Sequence, residues 1–257
     1  MLERILGHPA TRGLDLDSPE VTALRREIVK SKSFLKTIYE EWYSLMIDRI
    51  PSGGGEVLEL GAGGGFLKDL LPDVITSDLF EVPGVDRVVD ALQMPFDDQV
   101  LKAILMTNVF HHIPDVARFI SEAERTLRPG GRIVMIEPWN TAWSRFVHRR
   151  FHNEPMLTDV EEWAFPTTGP LSGANAALAW VVVDRDQERL ETQWPNLTVT
   201  EIRPFMPFRY LVSGGVSLRS LQPGWAYPFW KAIDESSLVN PRMAVFALII
   251  LERSPSN

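Results

Sequence analysis

Val57-Leu-Glu-Leu-Gly-Ala-Gly-Gly-Gly-Phe66 is the stretch on which the fold turns. An apolar run enters a loop holding glycine at 61, 63, 64 and 65, and a short apolar, helix-like segment (66–71) follows. Glycines at a strand-to-helix turn permit positive φ and remove side chains, so a ligand can approach the backbone. A dinucleotide fingerprint needs glycine at its first, third and sixth places. Those places hold Gly61, Gly63 and Phe66, so the glycine required for close helix packing is absent. The spacing instead gives Glu59 followed by Gly61, Gly63 and Gly65.

Outward from this loop, short apolar runs alternate with helical or loop segments. Strands are expected at 56–60, 74–77, 85–89, 103–107 and 132–137, and a helix at 115–127 stopped by Arg128-Pro-Gly-Gly131. Runs buried on both faces indicate a parallel sheet with helical crossovers. Upstream, 1–17 reads as an arm. From Ser18 to about Ile50 the pattern is helical, with Leu35, Ile38, Trp42, Leu45, Met46 and Ile50 on one apolar face. Downstream, 141–152 and 174–194 read as helices, and 197–203 and 242–251 as strands. The stretch 204–240 is rich in proline, glycine and aromatics.

The E-x-G-x-G-x-G arrangement resembles motif I of the class I S-adenosylmethionine-dependent methyltransferases. The likeness extends through Asp90-Ala-Leu-Gln-Met-Pro-Phe-Asp-Asp98, Ala103 to Asp115 (AILMTNVFHHIPD) and Leu127 to Pro138 (LRPGGRIVMIEP), as in the "type 11" small-molecule methyltransferases. It implies an α/β, Rossmann-like fold: a seven-stranded, mostly parallel sheet with helices on both faces and an N-terminal helical plus C-terminal aromatic-rich cap. In domain terms, 1–50 would be the arm and helical cap, and 51–257 the methyltransferase domain with a cap insertion at about 139–240.

The resemblance also implies the cofactor, S-adenosyl-L-methionine, with S-adenosyl-L-homocysteine as product. Glu59, Gly61, Ala62, Gly63 and Gly65 would wrap its methionine part. Asp78, ending the second apolar run, would accept from both ribose hydroxyls, with Leu79 beside it. Asp90 and Ala91 would meet the adenine, and Asn108 the cofactor edge of the fourth strand. Only 12 residues separate Asp78 from Asp90, and they include Pro83-Gly84. The usual second helix is therefore expected to shrink to a loop, with Phe80 as the side chain that packs on the adenine.

Ligands of open α/β folds sit at the carboxyl edge of the sheet, where His111 and His112 follow the fourth strand and Glu137 ends the fifth. Methyl transfer needs an oriented nucleophile and, for a hydroxyl, a group to take its proton. His111, His112 and Glu137 are the candidates. His111, His112, His148 and His152 lack a ligand spacing with accompanying carboxylates, so no metal is expected. Tyr39, Trp42, Tyr43 and the aromatics of 139–240 are expected to face each other across an apolar cleft suited to an apolar or aromatic acceptor, small-molecule or lipid-linked.

A net charge of -8 and a pI near 5.2 argue against a nucleic-acid partner. The chain has no cysteine, which removes disulfides, zinc thiolates and thiol nucleophiles. No signal peptide or transmembrane segment is read, so a cytoplasmic protein is expected. Arg145 to His152 (RFVHRRFH), a basic cluster among apolar neighbours, allows peripheral contact with a membrane. A binding but catalytically silent subunit or regulatory protein is the alternative function.

Overall fold

The structure, a computed structural model, describes residues 19–151, 154–167, 173–236, 239 and 242–255. The expected arm 1–17, Ser18 at the start of the expected helix, and His152 lie outside them. Two helices open the described chain, α1 (Pro19–Ser31) and α2 (Ser33–Ile47). The expected single helix breaks at Lys32, whose backbone is extended (φ -89°, ψ 95°). The break has a tertiary cause: Lys32 Nζ donates to the carbonyls of Gly215, at 2.5 Å, and Leu218. Burial pushes this lysine down to about 8.

The strands are β1 (Glu56–Leu60), β2 (Ile75–Asp78), β3 (Arg87–Val88), β4 (Leu101–Thr107), β5 (Leu127–Pro138), β6 (Leu197–Phe205) and β7 (Phe246–Arg253). They form one seven-stranded sheet in the order β3-β2-β1-β4-β5-β7-β6. The first five run parallel, and β7 is antiparallel to both β5 and β6. The expected closing strand is therefore present, shifted towards the C-terminus. β3 is shorter than expected, and no helix intervenes between β2 and β3. Asp86 fastens that loop, accepting from Thr76 N at 2.9 Å and from Lys68.

Alternate residues of the buried strands feed two cores, as a strand's period of two requires. Ala103, Leu105, Val134, Ile136, Leu248 and Ile250 face α2 through Ile38, Trp42 and Met46. Leu58, Ile104, Met106, Met135 and Ile249 face the other way, onto Phe119, Ile120 and Ala123 of α3 (Val116–Thr126) and onto Val181–Arg185. Asp115 caps α3, accepting from Arg118 N at 3.1 Å.

Three further expectations need correction. The helix-like segment 66–71 closes only one 3-10 turn, Leu67–Asp69, because Pro72 follows at once. The expected helix 174–194 is divided into α5 (Leu178–Trp180), a π turn (Val181–Arg185) and α6 (Gln187–Gln193), after α4 (Ala142–Phe151). The apolar cleft between Trp42 and the 139–240 aromatics is filled by their own rings. Trp42 stacks on Tyr210 of α7 (Arg209–Ser213) at 5.6 Å and meets Phe246 at 4.9 Å. Burying these rings against each other removes more apolar surface from water than an open cleft would. Beneath them Arg209 joins Glu41 of α2 to Asp234 of α8 (Tyr227–Asp234), at 2.8 Å each.

Candidate cofactor and acceptor site

Gly61 ends β1 in the left-handed region (φ +66°), and a Cβ there would meet Val109 Cγ2 at 2.4 Å. The loop after β1 and the loop after β4 thus touch, and only glycine lets them. A Cβ on Gly63 would strike Asp78 Oδ2 at 2.4 Å and Thr22 Cγ2 at 2.1 Å. Ala62 is buried in the 3-10 turn Ala62–Gly64. Gly63 N donates to Asp78 Oδ2 at 3.0 Å, and Leu79 N to Asp78 Oδ1 at 2.7 Å. Gly65 lies against the Tyr43 hydroxyl, which accepts from Phe66 N at 3.1 Å.

Glu59 is 3% exposed, and its Oε2 has no hydrogen-bond partner. Burial, helped by the Asp78 charge and opposed by Arg26, pushes its carboxyl up to about 8. Burial also raises Asp78, against the pull of its two backbone N–H donors and of Arg26. Val89 N donates to the Asp78 carbonyl at 2.8 Å, which sets Asp90 and Ala91 at the same edge. Asp90 is exposed and accepts from Leu92 N at 2.8 Å. Phe80 is half-buried beyond the exposed Leu79.

The residues expected around the cofactor therefore gather at the carboxyl ends of β1 to β4, with Glu59, the glycines, Asp78 and the Asn108–Val109 turn in mutual reach. They fit S-adenosylmethionine: Glu59 offers a cation a buried, unpartnered carboxyl oxygen, and Gly63, Gly64 and Gly65 carry no side chain that would keep a ligand from the loop backbone. The side chains of α1 over this loop escaped the sequence reading. Their one signal was the spacing of Thr22 and Arg26, a helical turn apart.

On the acceptor side Asn108 turns the chain with φ +56°, its N donating to the Ile136 carbonyl at 2.9 Å. A 3-10 turn, Phe110–His112, follows. Glu137, fully buried, accepts from Val109 N at 2.7 Å, Phe110 N at 2.8 Å and His111 Nδ1 at 2.5 Å. Burial works to lower His111, but the Glu137 charge and hydrogen bond, with Glu154 adding, push it up to about 10. His112 Nδ1 meets the Gly173 carbonyl at 3.0 Å, and the two rings lie 4.2 Å apart. Burial and the neighbouring His111 charge push His112 down to about 4.

Glu154, missed from sequence, lies 3.5 Å from His111 Nε2 and 3.9 Å from His112 Nε2. These three could offer ligand atoms to a cation, but His111 already sits between two carboxylates that satisfy its charge. His148 belongs elsewhere, its Nδ1 meeting the Ser144 carbonyl at 3.0 Å.

A parallel sheet closed by one antiparallel strand, with a glycine loop and acid-ended strands at its carboxyl edge, is the Rossmann-like architecture that the resemblance to class I S-adenosylmethionine-dependent methyltransferases implies. Residues 58–135 match the family model described as "Methyltransferase domain", which supports a class I S-adenosylmethionine-dependent methyltransferase domain in that part of the chain. An uncharacterized methyltransferase of Mycobacterium tuberculosis is 33% identical over 107 residues, covering 36% of this chain and 42% of the relative. The phthiotriol/phenolphthiotriol dimycocerosates methyltransferase of the same organism is 35% identical, over 35% of this chain and 40% of that protein. The chain spans less than half the length of these curated relatives. A chain in the complex between the Haloferax volcanii Trm112 methyltransferase activator and a methyltransferase shares the fold, with TM-score 0.53 and 13% identity over 95% of this chain and 100% of that one.

Proposed function

We propose that the protein transfers a methyl group from S-adenosylmethionine to an apolar or aromatic acceptor, small-molecule or lipid-linked, whose reacting atom lies against His111 and His112. The bound cofactor supplies a sulfonium methyl already activated for in-line displacement. The S–CH3 bond breaks with its electron pair left on sulfur, and the new bond forms to the acceptor. The acceptor's proton must then leave. The observation that carries the reading is the pinned imidazole pair at the carboxyl edge, beside the Asn108–Val109 turn that touches Gly61.

The surroundings favour a division of labour among the three candidates. His112 commits Nδ1–H to the Gly173 carbonyl, so its Nε2 carries the lone pair that takes the proton. His111, held as a cation between Glu137 and Glu154, positions the neighbouring His112 ring, whose centroid lies 4.2 Å away. Glu137 spends its oxygens on three donors and positions the loop. The lipid-linked arm of the proposal draws support from α4, where Phe146 and Phe151 are exposed beside Arg149 and Arg150. No helix among the described residues is long and apolar enough to cross a membrane.

His111→Ala and His112→Ala should each slow methyl transfer by roughly two to four decades while S-adenosylmethionine affinity stays within about threefold. Radiolabelled transfer to an extract of apolar acceptors, paired with calorimetric titration of cofactor, reads both quantities. Undiminished turnover in both variants removes the imidazole pair from the chemistry. Cofactor binding without transfer to any acceptor would favour the silent subunit.

A further inference from the structure

Thr22 and Arg26 stand one helical turn apart on the face of α1 turned to the glycine loop. Thr22 Oγ1 and Arg26 Nε are buried without a hydrogen-bond partner, as is Glu59 Oε2. Thr22 rests directly on the loop, its Cγ2 lying where a Gly63 Cβ would need to be. Arg26 is braced from its far side, Nη1 donating to the Pro83 carbonyl at 2.6 Å. Its charge reaches both Glu59 and Asp78. Two buried donors, one on a cation, thus close over two carboxylates.

The methionyl end of the cofactor is an α-amino acid, with one ammonium and one carboxylate. Glu59 matches the ammonium. The carboxylate has no such side-chain partner in the loop, which holds glycines and Ala62 between the acids Glu59 and Asp78. Three of the loop's backbone donors are already engaged: Gly63 N with Asp78, Gly65 N with the Ala62 carbonyl at 2.9 Å, and Phe66 N with Tyr43. A buried carboxylate left unpaired is costly, and a guanidinium with a hydroxyl beside it is the donor set that satisfies one.

We propose that Arg26 Nε and Thr22 Oγ1 bind the α-carboxylate of the cofactor's methionyl end, making α1 the roof of the cofactor site. The inference rests on the cofactor occupying the glycine loop. Its ligand class is the α-amino-acid carboxylate, so the site distinguishes S-adenosylmethionine from the same sulfonium lacking that group.

Calorimetric titration of the full chain with S-adenosylmethionine and with decarboxylated S-adenosylmethionine tests it. Wild type should prefer the intact cofactor by roughly 10- to 100-fold, the range of one or two hydrogen bonds to a charged group. Arg26→Ala should erase that preference, weakening the intact cofactor while leaving the decarboxylated one within about threefold. Arg26→Lys should restore part of the preference, and Thr22→Val should reduce it by several fold. Should Arg26→Ala fail to fold for want of its Pro83 contact, Arg26→Lys and Thr22→Val still decide the matter. Equal loss for both ligands would mean a merely structural role and overturn the proposal, as would a preference unchanged in every variant. Failure of wild type to bind either ligand would instead sink the cofactor reading itself.

Discussion

The unpartnered Oε2 of Glu59 meets opposite demands with and without ligand. In the ligand-free chain burial holds the folded-state carboxyl up at about 8, above the ordinary 4.5. A carboxyl raised on folding contributes no penalty below its unfolded value. Its cost accrues as pH rises from about 4.5 to about 8, because the unfolded chain ionises first. Glu59→Gln should therefore raise the ligand-free Tm at pH 8, by roughly 2 °C or more, and leave it almost unchanged at pH 4.5. The same variant should weaken S-adenosylmethionine. Calorimetric melts at the two pH values check the first part, and a Tm difference independent of pH would refute the buried, ligand-seeking carboxyl. This is the kind of local strain that a binding site keeps and a purely structural core discards.

At the scale of elements, the end of β1 and the turn after β4 are joined by the absence of a side chain. Gly61 combines φ +66° with Val109 Cγ2 at 2.4 Å from any Cβ. Gly61→Ala should cost about 2 kcal/mol or more, the sum of left-handed backbone strain and a clash, and lower Tm by roughly 4–8 °C. Adding Val109→Ala should return part of the loss, since it relieves the clash and leaves the φ strain. A double mutant no more stable than Gly61→Ala would show that the two loops do not press on each other. Asn108 reaches its own positive φ from the other side of this contact, where asparagine tolerates the left-handed region better than most residues.

Across the whole molecule, Arg209 ties α2, α7 and α8 together from a nearly solvent-free position. It reaches Glu41, the Tyr227 hydroxyl at 2.7 Å and the buried Asp234. Removing it strands two acids, so Arg209→Met should destabilise the fold by roughly 3–5 kcal/mol. Burial by itself would raise Glu41, but its bonds to Arg209, Tyr227 and Lys231 bring it down to about 2. A carboxyl lowered on folding gives stability that is present above its unfolded value and lost as pH falls towards the folded one. Part of the gap between wild type and Arg209→Met should thus disappear between pH 5 and pH 3, as read by denaturant midpoints. A gap that holds constant over that range would deny Glu41 its share.

The sequence by itself determined the parallel sheet, the loop 61–65, the acids Glu59, Asp78 and Asp90 at strand ends, and the presence of a closing strand. Each is a local pattern: apolar runs of strand length, glycines where the chain must turn, and charges where a run stops. Local pattern also exposed the missing helix between β2 and β3, because 12 residues leave no room for one. Tertiary structure alone decided that α1 folds over the glycine loop, that Lys32 breaks the helix to reach the Gly215 carbonyl, and that Glu154 joins the imidazole pair. Only the tertiary structure, too, filled the expected cleft with Trp42 and Tyr210. These facts concern partners as far as 183 residues apart, and a side chain's spacing along its own element does not record what packs against it. Hydrophobic periodicity says which face of α2 is buried; the partner it is buried against is settled by the packing of the folded chain.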